Sequence, residues 1–284
     1  MKRTIINILG AGRSGTTMLD LMLGNDHKSF SLGEVHAWFR PFRKHHFYID
    51  CNCGNKNCEF WKKIKDFNEQ EFHKKAFDSL GVKFLVDSSK FLPWVIDVNL
   101  YYAKSEIETI NLIIYKPIID YVYSVWKRGE EIDVAIKRFK AYYQRFLESG
   151  IEAYSINYSE LVENTEVVLN RVVTLTNQPK IENRSHFWKK DHHHLFGSGG
   201  IRKQVRKGTL VIKKDVKYSN EFNLVKEEII GKIKLDRQLN YILQELRKID
   251  INTTSRELGQ KRLKKPLWYY QLKMKNKIKS ILPE

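Results

Sequence analysis

The chain has 284 residues, and 50 lysines and arginines against 33 aspartates and glutamates give it a net charge of +17 at pH 7. This length suits one large α/β domain or a domain with a helical extension, and the charge indicates an anionic partner such as a nucleotide, an acidic glycan or a lipid surface. The basic residues are dispersed and form no recognition motif, so we predict no nucleic-acid partner. We also predict a cytoplasmic protein, because the sequence has neither an apolar run of ~18 residues nor a signal-peptide cleavage site.

Four short apolar runs predict β-strands, with helical periodicity between them. The runs are TIINIL, KFLVD, TINLIIY and AYSINY (residues 4–9, 83–87, 109–115 and 153–158). Apolar residues at i, i+3 and i+4 predict helices over 16–23, over 131–149 up to Gly150, and over 221–248. Strands that alternate with helices predict an α/β fold, with a largely parallel sheet flanked by helices on both faces.

Residues 10–17, GAGRSGTT, follow the first predicted strand and have the outline of a phosphate-binding loop. Thr16 stands where the GxxxxGK[ST] pattern places its lysine. Gly10 and Gly15 permit a tight turn, so backbone N–H groups and the positive end of the next helix can bind phosphate oxygens. Without that lysine, and with Arg13 earlier in the loop, a cofactor with one anionic 5′ arm fits better than a nucleoside triphosphate.

The segment GAGRSGTTML resembles the 5′-phosphosulfate loop of sulfotransferases that use 3′-phosphoadenylyl sulfate (PAPS), whose pattern is [RK]SGTT after a strand. About a hundred residues on, LIIYKPIIDYVYSVW resembles the second element of that family, with Lys116 in place of the usual arginine and Ser124 eight positions later. VDSSK is similar to a loop of bacterial and carbohydrate-type members. INYSELVENTEVVLNRV is similar to the YEDL strand-to-helix segment of the family, and HHLFGSGGIRK more loosely to a late glycine-containing segment that ends in arginine. The resemblance spans residues 3–220 and implies the P-loop-like parallel sheet of the sulfotransferase fold.

This resemblance implies PAPS as co-substrate and its desulfonated form, PAP, as product. Arg13 matches the catalytic basic position beside the bridging oxygen, where leaving-group charge develops. Lys116 and Ser124 match the site of the 3′-phosphate, for which a lysine and a hydroxyl are suitable donors. The residues implied to hold the 5′-phosphosulfate are Gly12, Arg13, Ser14, Gly15, Thr16 and Thr17.

Two further cofactor contacts are implied farther along the chain. Lys90 ends VDSSK and is expected to reach the cofactor or the acceptor rim, although Asp87 in the same segment could simply cap a helix. Arg202 is expected to be the late phosphate contact, with Arg206 in RKGT (206–209) as the alternative register. Sulfuryl transfer relies on positioning and charge stabilisation, so we predict no metal ion.

An acceptor hydroxyl needs a base within hydrogen-bond reach when it attacks. The segment SLGEVHAW offers Glu34 and His36. Glu34 lies 21 residues after Arg13, and a Gly-Glu pair at this distance resembles the base position of carbohydrate- and tyrosine-type sulfotransferases. We therefore predict Glu34 as the base and His36 as the alternative, against the default of a surface carboxylate.

The three cysteines, Cys51, Cys53 and Cys58, follow His45 and His46 with the spacing C-x-C-x₄-C. A Cys₃His zinc site is chemically sensible, but structural zinc sites usually show two separated ligand pairs. We therefore favour reduced buried thiols or an intrachain disulfide. The HHH run at 192–194 is interpreted as solvated histidines near the acceptor or the 3′-phosphate.

The acceptor is expected to be a hydroxyl of a saccharide, glycolipid or other glycoconjugate, with a small-molecule alcohol as the second choice. Two other functions stay open. A P-loop kinase or NTPase would need a lysine at position 16 and an acidic metal ligand, for which Asp87 is a weak candidate. A non-catalytic anion or membrane-surface binder would explain the charge but not the paired nucleotide motifs.

We divide the chain into a sulfotransferase-like domain over 1–250 and a basic, aromatic extension over 251–284. Lysines and arginines in this extension alternate with apolar side chains, as in segments that lie on an anionic membrane surface. The competing interpretation is a helix that packs on the core. We expect core packing for the first half and keep peripheral membrane contact as the hypothesis for the second.

Overall fold

A five-stranded parallel sheet forms the centre of the molecule. The computed structural model describes residues 2–64, 66–208, 212, 217–252 and 263–281. Within these residues the strand order is β2-β3-β1-β4-β5, and every neighbouring pair runs parallel. The strands are β1 (Arg3–Leu9), β2 (Ser29–Gly33), β3 (Phe84–Asp87), β4 (Ile107–Tyr115) and β5 (Tyr154–Asn157). The predicted α/β fold with a parallel sheet is confirmed.

Helices connect the strands and cover both faces of the sheet. They are α1 (Thr16–Leu23), α2 (Val35–Phe39), α3 (Glu59–Ile64), α4 (Phe72–Leu80), α5 (Leu92–Tyr102), α6 (Ile118–Trp126), α7 (Ile132–Ser149), α8 (Tyr158–Glu163), α9 (Thr165–Leu175), α10 (Gly199–Arg206), α11 (Asn220–Leu235), α12 (Arg237–Lys248) and α13 (Leu267–Ile281). Among the described residues, none of these helices has the length and apolar content needed to cross a lipid bilayer.

Alternate residues of the central strand enter two separate cores. Ile5 and Leu9 of β1 belong to one apolar cluster, whereas Ile6 and Ile8 belong to a second cluster. Successive side chains of a strand point to opposite faces, so the two clusters lie on opposite sides of the sheet. A parallel sheet buried on both faces has nearly continuous apolar strands, and this is why β1, β3, β4 and β5 are visible in the sequence.

Two elements differ from the predictions. Residues 29–33 form β2, whose alternating serines do not mark it as a strand and whose position is defined by pairing with β3. The helix predicted over 221–248 is two helices, α11 and α12. Asp236 separates them because its backbone is extended and its carboxylate accepts the N–H of Leu239 at 2.9 Å, which begins a new helix.

A buried polar cluster fastens β2 and β3 to α1. The carboxylate of Asp20 accepts hydrogen bonds from the hydroxyls of Ser31 and Ser88, both at 2.5 Å. The Ser31 hydroxyl also contacts Nδ1 of His194 at 2.6 Å. Burial raises the pKa of Asp20 to about 8, so its protonated form predominates at pH 7. The cluster therefore joins three elements without placing a full charge in the interior.

The C-terminal helix α13 packs along α5. The hydroxyl of Tyr269 donates to Asp97 at 2.5 Å, and Lys273 pairs with the same carboxylate at 2.7 Å. Farther along, the buried side chain of Asn276 lies 3.1 Å from Nε2 of His36. Both halves of the helix thus contact the domain. A domain boundary at residue 250 stays a prediction, and residues 253–262 lie outside the described part of the chain.

Candidate active site

Most of the residues singled out by the sequence analysis meet at one edge of the sheet. Parallel strands end on the same side, so the segments that follow β1, β2, β3 and β4 are neighbours. These segments carry the loop 10–15, Glu34, Lys90 and Lys116 respectively. Because β1 lies between β3 and β4, the loop is flanked by the Lys90 segment on one side and Lys116 on the other.

The loop 10–15 turns sharply because two glycines have no side chain. A Cβ atom on Gly15 would lie 2.3 Å from Cδ2 of Tyr158, and one on Gly10 would lie 2.6 Å from the carbonyl oxygen of Ile114. Gly15 also has a φ of 103°, in the region that favours glycine. Gly12, in contrast, is exposed and open around its Cα. The two framing glycines are therefore required by packing, whereas Gly12 leaves room for a ligand.

The loop leads into the N-terminus of α1, where no side chain of the described residues forms a cap. The N–H groups of Met18 and Leu19 return to the carbonyl of Gly15. The N-terminal N–H groups of Thr16 and Thr17 belong to the set that a helix leaves for an external acceptor, where its dipole also favours an anion. The hydroxyl of Thr17 accepts the N–H of Ser198 at 3.0 Å, so the late glycine-containing segment borders this anion site.

Two adjacent tyrosines of α7 hold the loop 10–15 in place by hydrogen bonds from its backbone to their hydroxyls. The Tyr142 hydroxyl accepts the N–H of Gly10 at 3.0 Å and donates to the carbonyl of Lys90 at 2.8 Å. The Tyr143 hydroxyl accepts the N–H of Ala11 at 3.3 Å and donates to the carbonyl of Ile114 at 2.9 Å. Burial raises the pKa of both phenols, so they stay neutral and can serve as donor and acceptor at once. They tie the loop to the ends of β3 and β4.

Arg13, Ser124 and Lys116 come together beside the loop. Nε of Arg13 lies 3.4 Å from the hydroxyl of Ser124, and Nζ of Lys116 lies 4.0 Å from the centroid of the Tyr158 ring. Desolvation, and after it the nearby Arg13, lowers the pKa of Lys116 to about 8 against the opposing influence of Asp120. Desolvation also lowers the pKa of Arg13. Lys116 is half-buried, Arg13 is exposed at the surface beside it, and an anion placed between these like charges would be stabilised.

The side chain of Ser14 forms a contact inside the protein and does not face the ligand side of the loop. It is fully buried, and its hydroxyl lies 3.1 Å from that of Tyr143. Among the six loop residues predicted to hold a phosphosulfate, Ser14 thus uses its hydroxyl for a contact within the protein. The backbone N–H groups and the Arg13 side chain provide the outward-facing donors.

Glu34 forms an ion pair with Lys90 at the opposite side of the loop. The carboxylate accepts a hydrogen bond from the ammonium of Lys90, and both side chains are largely buried. The backbone N–H of Glu34 donates to the carbonyl of Leu195 at 3.0 Å. Lys90 has a φ of 63°, and its carbonyl accepts the Tyr142 hydroxyl, which connects this pair to the loop. Glu34, the predicted base, and Lys90, the lysine predicted to reach the cofactor or the acceptor rim, therefore form an ion pair with each other.

His36 is placed differently from Glu34. It is 3% exposed, and its ring stacks on Phe91 with centroids 4.2 Å apart. Burial lowers its pKa to about 3, so it is neutral at pH 7 and its Nε2 can accept from Asn276. A buried ring held on both sides has little access to an acceptor hydroxyl. Of the two residues predicted as the base, Glu34 is therefore the more accessible.

Arg202 has its charge neutralised by a protein carboxylate. Its guanidinium forms a bidentate pair with Asp50, with Nη1–Oδ2 and Nη2–Oδ1 distances of 2.6 and 2.7 Å, and it is 4% exposed. Arg206 donates to the carbonyls of Cys51 and Asn52 at 2.9 and 2.8 Å. Both arginines are thus used to hold the 50–52 segment. A direct phosphate contact from Arg202 stays a prediction that these contacts do not support.

Asp87, the possible metal ligand of a P-loop NTPase, is buried within the protein. It accepts hydrogen bonds from Nε1 of Trp94 at 2.9 Å and from Ser89, and it lies 3.0 Å from Nε2 of His73. Burial alone would raise its pKa, but the hydrogen bond from His73 and the other donors lower it overall. Its oxygens are committed to these donors, which counts against a magnesium site at the end of β3.

Two of the solved structures that resemble this chain are sulfotransferase domains. The sulfotransferase domain from the curacin biosynthetic pathway has 19% sequence identity and a TM-score of 0.55, with 86% of this chain and 98% of that domain covered. The sulfotransferase domain from the Synechococcus PCC 7002 olefin synthase has 13% identity and a TM-score of 0.54, with 83% and 97% covered. No protein-family model and no curated protein matches the chain. The chain therefore has the fold of sulfotransferase domains.

Sequence reasoning missed three tyrosines of the site. Tyr142 and Tyr143 lie in a helix whose apolar periodicity explains Tyr143 as a core residue, and nothing in that pattern indicates hydrogen bonds to a loop 130 residues away. Tyr158 is part of INYSEL, and its ring covers Gly15 and Lys116. The only signal in the sequence was the presence of hydroxyl-bearing aromatics at core positions, where a partner for the O–H is usual.

We expect Tyr143→Phe to destabilise the protein. The substitution leaves the N–H of Ala11 and the carbonyl of Ile114 without this partner, so the free energy of unfolding should fall by ~1 to 3 kcal/mol. Urea denaturation measures this change. Tyr121→Phe is the matched control, because the Tyr121 hydroxyl is buried without a hydrogen-bond partner among the described residues and its removal should be nearly neutral. Equal effects of the two substitutions would contradict the bracing role of Tyr143.

Proposed function

We propose that this protein is a sulfotransferase that moves a sulfuryl group from PAPS to an acceptor hydroxyl. The observation that carries the proposal is the meeting of two separate anion-binding elements at one edge of a sulfotransferase-like sheet. The first is the loop 10–15 with the N-terminus of α1, and the second is Lys116 with Ser124. The contact between Arg13 and Ser124 joins them. A donor with anionic groups at its 5′ and 3′ positions matches two such elements.

The residues present fit PAPS. The backbone N–H groups at the start of α1 and the guanidinium of Arg13 would hold the 5′-phosphosulfate, and Lys116 with Ser124 would hold the 3′-phosphate. When bound, PAPS supplies the activated sulfuryl group. The absence of a lysine at position 16 is consistent with this donor, which has no γ-phosphate for such a lysine to contact.

Arg13 is placed to stabilise negative charge on the leaving phosphate. Its φ of 81° is unusual for a residue with a side chain, and the flanking glycines allow the loop to present it at the mouth of the site. Its guanidinium stays charged at neutral pH and can attract an anion at this position. A preformed cation of this kind acts without reorganising during the reaction.

Glu34 would accept the proton of the acceptor hydroxyl. Its ion pair with Lys90 holds the carboxylate in one orientation at the edge of the sheet, and its backbone N–H is fixed by Leu195. An ionised carboxylate is the form that a general base requires. Lys90 is in turn fixed through its carbonyl by Tyr142, so the base and the phosphate loop share one support.

The acceptor class that we propose is a hydroxyl of a saccharide or glycoconjugate, with a small-molecule alcohol as the second class. The first rests on the resemblance of the Gly-Glu segment to carbohydrate-type members. The second gains support from the two similar structures, which come from a curacin pathway and an olefin synthase. A panel of both classes with radiolabelled PAPS distinguishes them.

The two other functions are less consistent with the site. A kinase or NTPase would require a cation where Thr16 stands and an available metal ligand, whereas Asp87 is engaged by His73 and Trp94. A non-catalytic anion binder would not require a carboxylate and a lysine paired beside the anion loop. Isothermal titration with PAP and ATP distinguishes a sulfotransferase from a kinase or NTPase. A turnover assay distinguishes it from a non-catalytic anion binder.

PAP should bind at least ~10-fold more tightly than AMP, because only PAP presents a 3′-phosphate to Lys116 and Ser124. Lys116→Ala should weaken PAP binding by ~1.5 to 3 kcal/mol, the range for hydrogen bonds to charged groups. Isothermal titration measures both effects. Lys104→Ala, which removes an exposed lysine near the opposite edge of the sheet, is the control and should leave PAP affinity unchanged. Equal affinity for AMP and PAP would contradict the assigned donor.

The same titration has a pH dependence. The pKa of Lys116 lies at about 8, so its positive charge is present below this pH and is lost as the pH rises through it. PAP affinity should therefore weaken above pH 8 in the wild type. Lys116→Arg keeps its charge in this range and should remove that part of the pH dependence.

Glu34→Gln should lower turnover by ~100-fold or more while PAP affinity stays within about twofold, because the amide keeps the shape of the side chain but cannot take a proton. The measurement is transfer of radiolabelled sulfate to the best acceptor of the panel, alongside PAP titration. His36→Gln is the comparison. Loss of turnover in His36→Gln with retention in Glu34→Gln would assign the base to the histidine.

A further inference from the structure

The three cysteines and one distant histidine form a cluster outside the anion site. The thiols of Cys51, Cys53 and Cys58 and Nδ1 of His193 all lie within 4.8 Å of one another. All three thiols are free, Cys51 and Cys58 are buried and Cys53 is exposed. Cys58 and His193 are 135 residues apart in the chain, and their Sγ–Nδ1 distance is 3.2 Å. The corresponding distance from Cys51 is 3.7 Å.

Backbone hydrogen bonds and aromatic contacts around the cluster bring these four side chains together. Cys51 pairs with Leu195 as an isolated bridge, and the N–H of Asn52 donates to the carbonyl of His194 at 2.9 Å. Nε1 of Trp61 donates to the carbonyl of His193 at 2.6 Å. The His193 ring also stacks on Phe60, with centroids 5.3 Å apart. The four side chains are therefore gathered by contacts that do not depend on a metal.

We propose that Cys51, Cys53, Cys58 and His193 bind one structural zinc ion. Zinc prefers four tetrahedral ligands, with bonds of about 2.3 Å to sulfur and 2.0 to 2.1 Å to nitrogen, which places neighbouring ligand atoms about 3.5 to 3.8 Å apart. The distances within this cluster need only small adjustments to reach those values. Four protein ligands leave no open position, which is the arrangement of structural rather than catalytic zinc.

This assignment replaces the sequence prediction of no metal ion. The sequence placed His45 and His46 nearest to the cysteines, but their rings pack on each other at 4.2 Å, and His46 also packs on Phe196 at 4.8 Å. The fourth ligand comes instead from the 192–194 run. A disulfide would pair two thiols and leave the third beside the histidine, whereas zinc uses all four groups.

The zinc ion fastens the 51–58 loop to the segment that supports Glu34. The carbonyl of Leu195, two residues after His193, accepts the N–H of Glu34 at 3.0 Å. The N–H of Leu195 donates to the carbonyl of Leu32 at 3.1 Å. A Cβ atom on Gly33 would lie 2.1 Å from the Leu195 carbonyl oxygen, so the two segments are in direct contact. The metal is thus a support for this edge of the sheet.

The test is the metal content of the full chain, purified without a histidine tag or chelator. Inductively coupled plasma mass spectrometry should find about one zinc per chain, since four protein ligands form a closed site. Cys58→Ser and His193→Asn should each lose most of this zinc, whereas His45→Asn, the neighbouring histidine control, should keep it. Reconstitution with Co²⁺ should give thiolate-to-cobalt absorption in the wild type that is weaker in Cys53→Ser.

The wild-type measurement decides the proposal even if a variant fails to fold. Less than about 0.1 zinc per chain, together with no thiolate-to-cobalt absorption after reconstitution, would overturn it, because structural zinc sites bind tightly at neutral pH. A disulfide between any two of the cysteines in the purified protein would also overturn it. Loss of zinc in His45→Asn with retention in His193→Asn would reject the proposed fourth ligand.

An independent feature is the outward face of α13. Five large apolar side chains lie at steps of three or four residues, and each is 54 to 72% exposed. At about 100° per residue these positions form one stripe along the helix. They are Leu267, Tyr270, Met274, Ile278 and Ile281. The opposite face packs on α5, so the stripe faces away from the domain.

We infer that this stripe lies on an anionic lipid surface. The helix carries four lysines at 273, 275, 277 and 279 and has no acidic residue. Lys275 and Lys277 are exposed and flank the stripe on its two sides, where long cationic side chains can reach lipid headgroups. A second copy of the same helix would bring like charges together, which disfavours a dimer through this face. The contact of Asn276 with His36 places this lipid-facing helix beside the Glu34 segment.

Vesicle flotation with the full chain tests the lipid contact. Vesicles that contain phosphatidylserine should bind the protein, and vesicles of phosphatidylcholine alone should not. The double substitution Met274→Glu and Ile278→Glu should lower binding at least tenfold, because it places two negative charges on the stripe. Leu224→Glu is the control, since Leu224 is an exposed apolar residue of α11 at 87% exposure and its substitution should have no effect.

Equal binding of the wild type to the two kinds of vesicle would overturn the lipid assignment. A wild-type dimer that the double substitution converts to a monomer, without vesicle binding, would also overturn it and assign the stripe to a second copy of the chain.

Discussion

The sharp turn between β1 and α1 depends on backbone contact at two glycines. Gly10 lies against the carbonyl of Ile114, and Gly15 lies under the ring of Tyr158, at distances that exclude a Cβ atom. This close packing directs the first N–H groups of α1 toward the open edge of the sheet, where an anion can approach. Tyr142 and Tyr143 hold the same turn through their hydroxyls. The proposed anion site thus depends mainly on backbone geometry, which is consistent with a threonine at position 16 in place of the lysine of ordinary phosphate-binding loops.

Electrostatics at this edge complement the geometry. Desolvation, and after it the nearby Arg13, lowers the pKa of the half-buried Lys116, whereas Arg13 itself is exposed. The proposed donor, with two separate phosphate groups, would offset the repulsion between these two like charges. The net charge of the whole chain points in the same direction, but it provides only a long-range attraction. Selectivity for a particular anion would depend on where the few cations beside the loop are held.

Several parts of the chain that are distant in sequence converge on Glu34. Lys90 pairs with its carboxylate, Leu195 accepts its backbone N–H, and α13 contacts His36 two residues later. The proposed zinc ligands adjoin Leu195, and the proposed lipid-facing helix carries Asn276. Both proposed sites therefore adjoin the supports of Glu34, the proposed base.

The sequence by itself determined the features that depend on local pattern. The apolar runs identify four of the five strands and the glycine spacing identifies the loop, whereas Lys116 and Ser124 as a second anion element rest on the resemblance to sulfotransferases and stay a prediction. The tertiary structure alone decided which side chains meet: the Glu34–Lys90 pair, the two tyrosine hydroxyls under the loop, the Arg202–Asp50 pair and His193 among the cysteines. It also decided that β2 is a strand, because an alternating serine segment becomes one only by pairing with β3. The physical reason is that periodicity records which face of an element is buried, whereas contacts between distant residues depend on how the completed sheet and its helices pack.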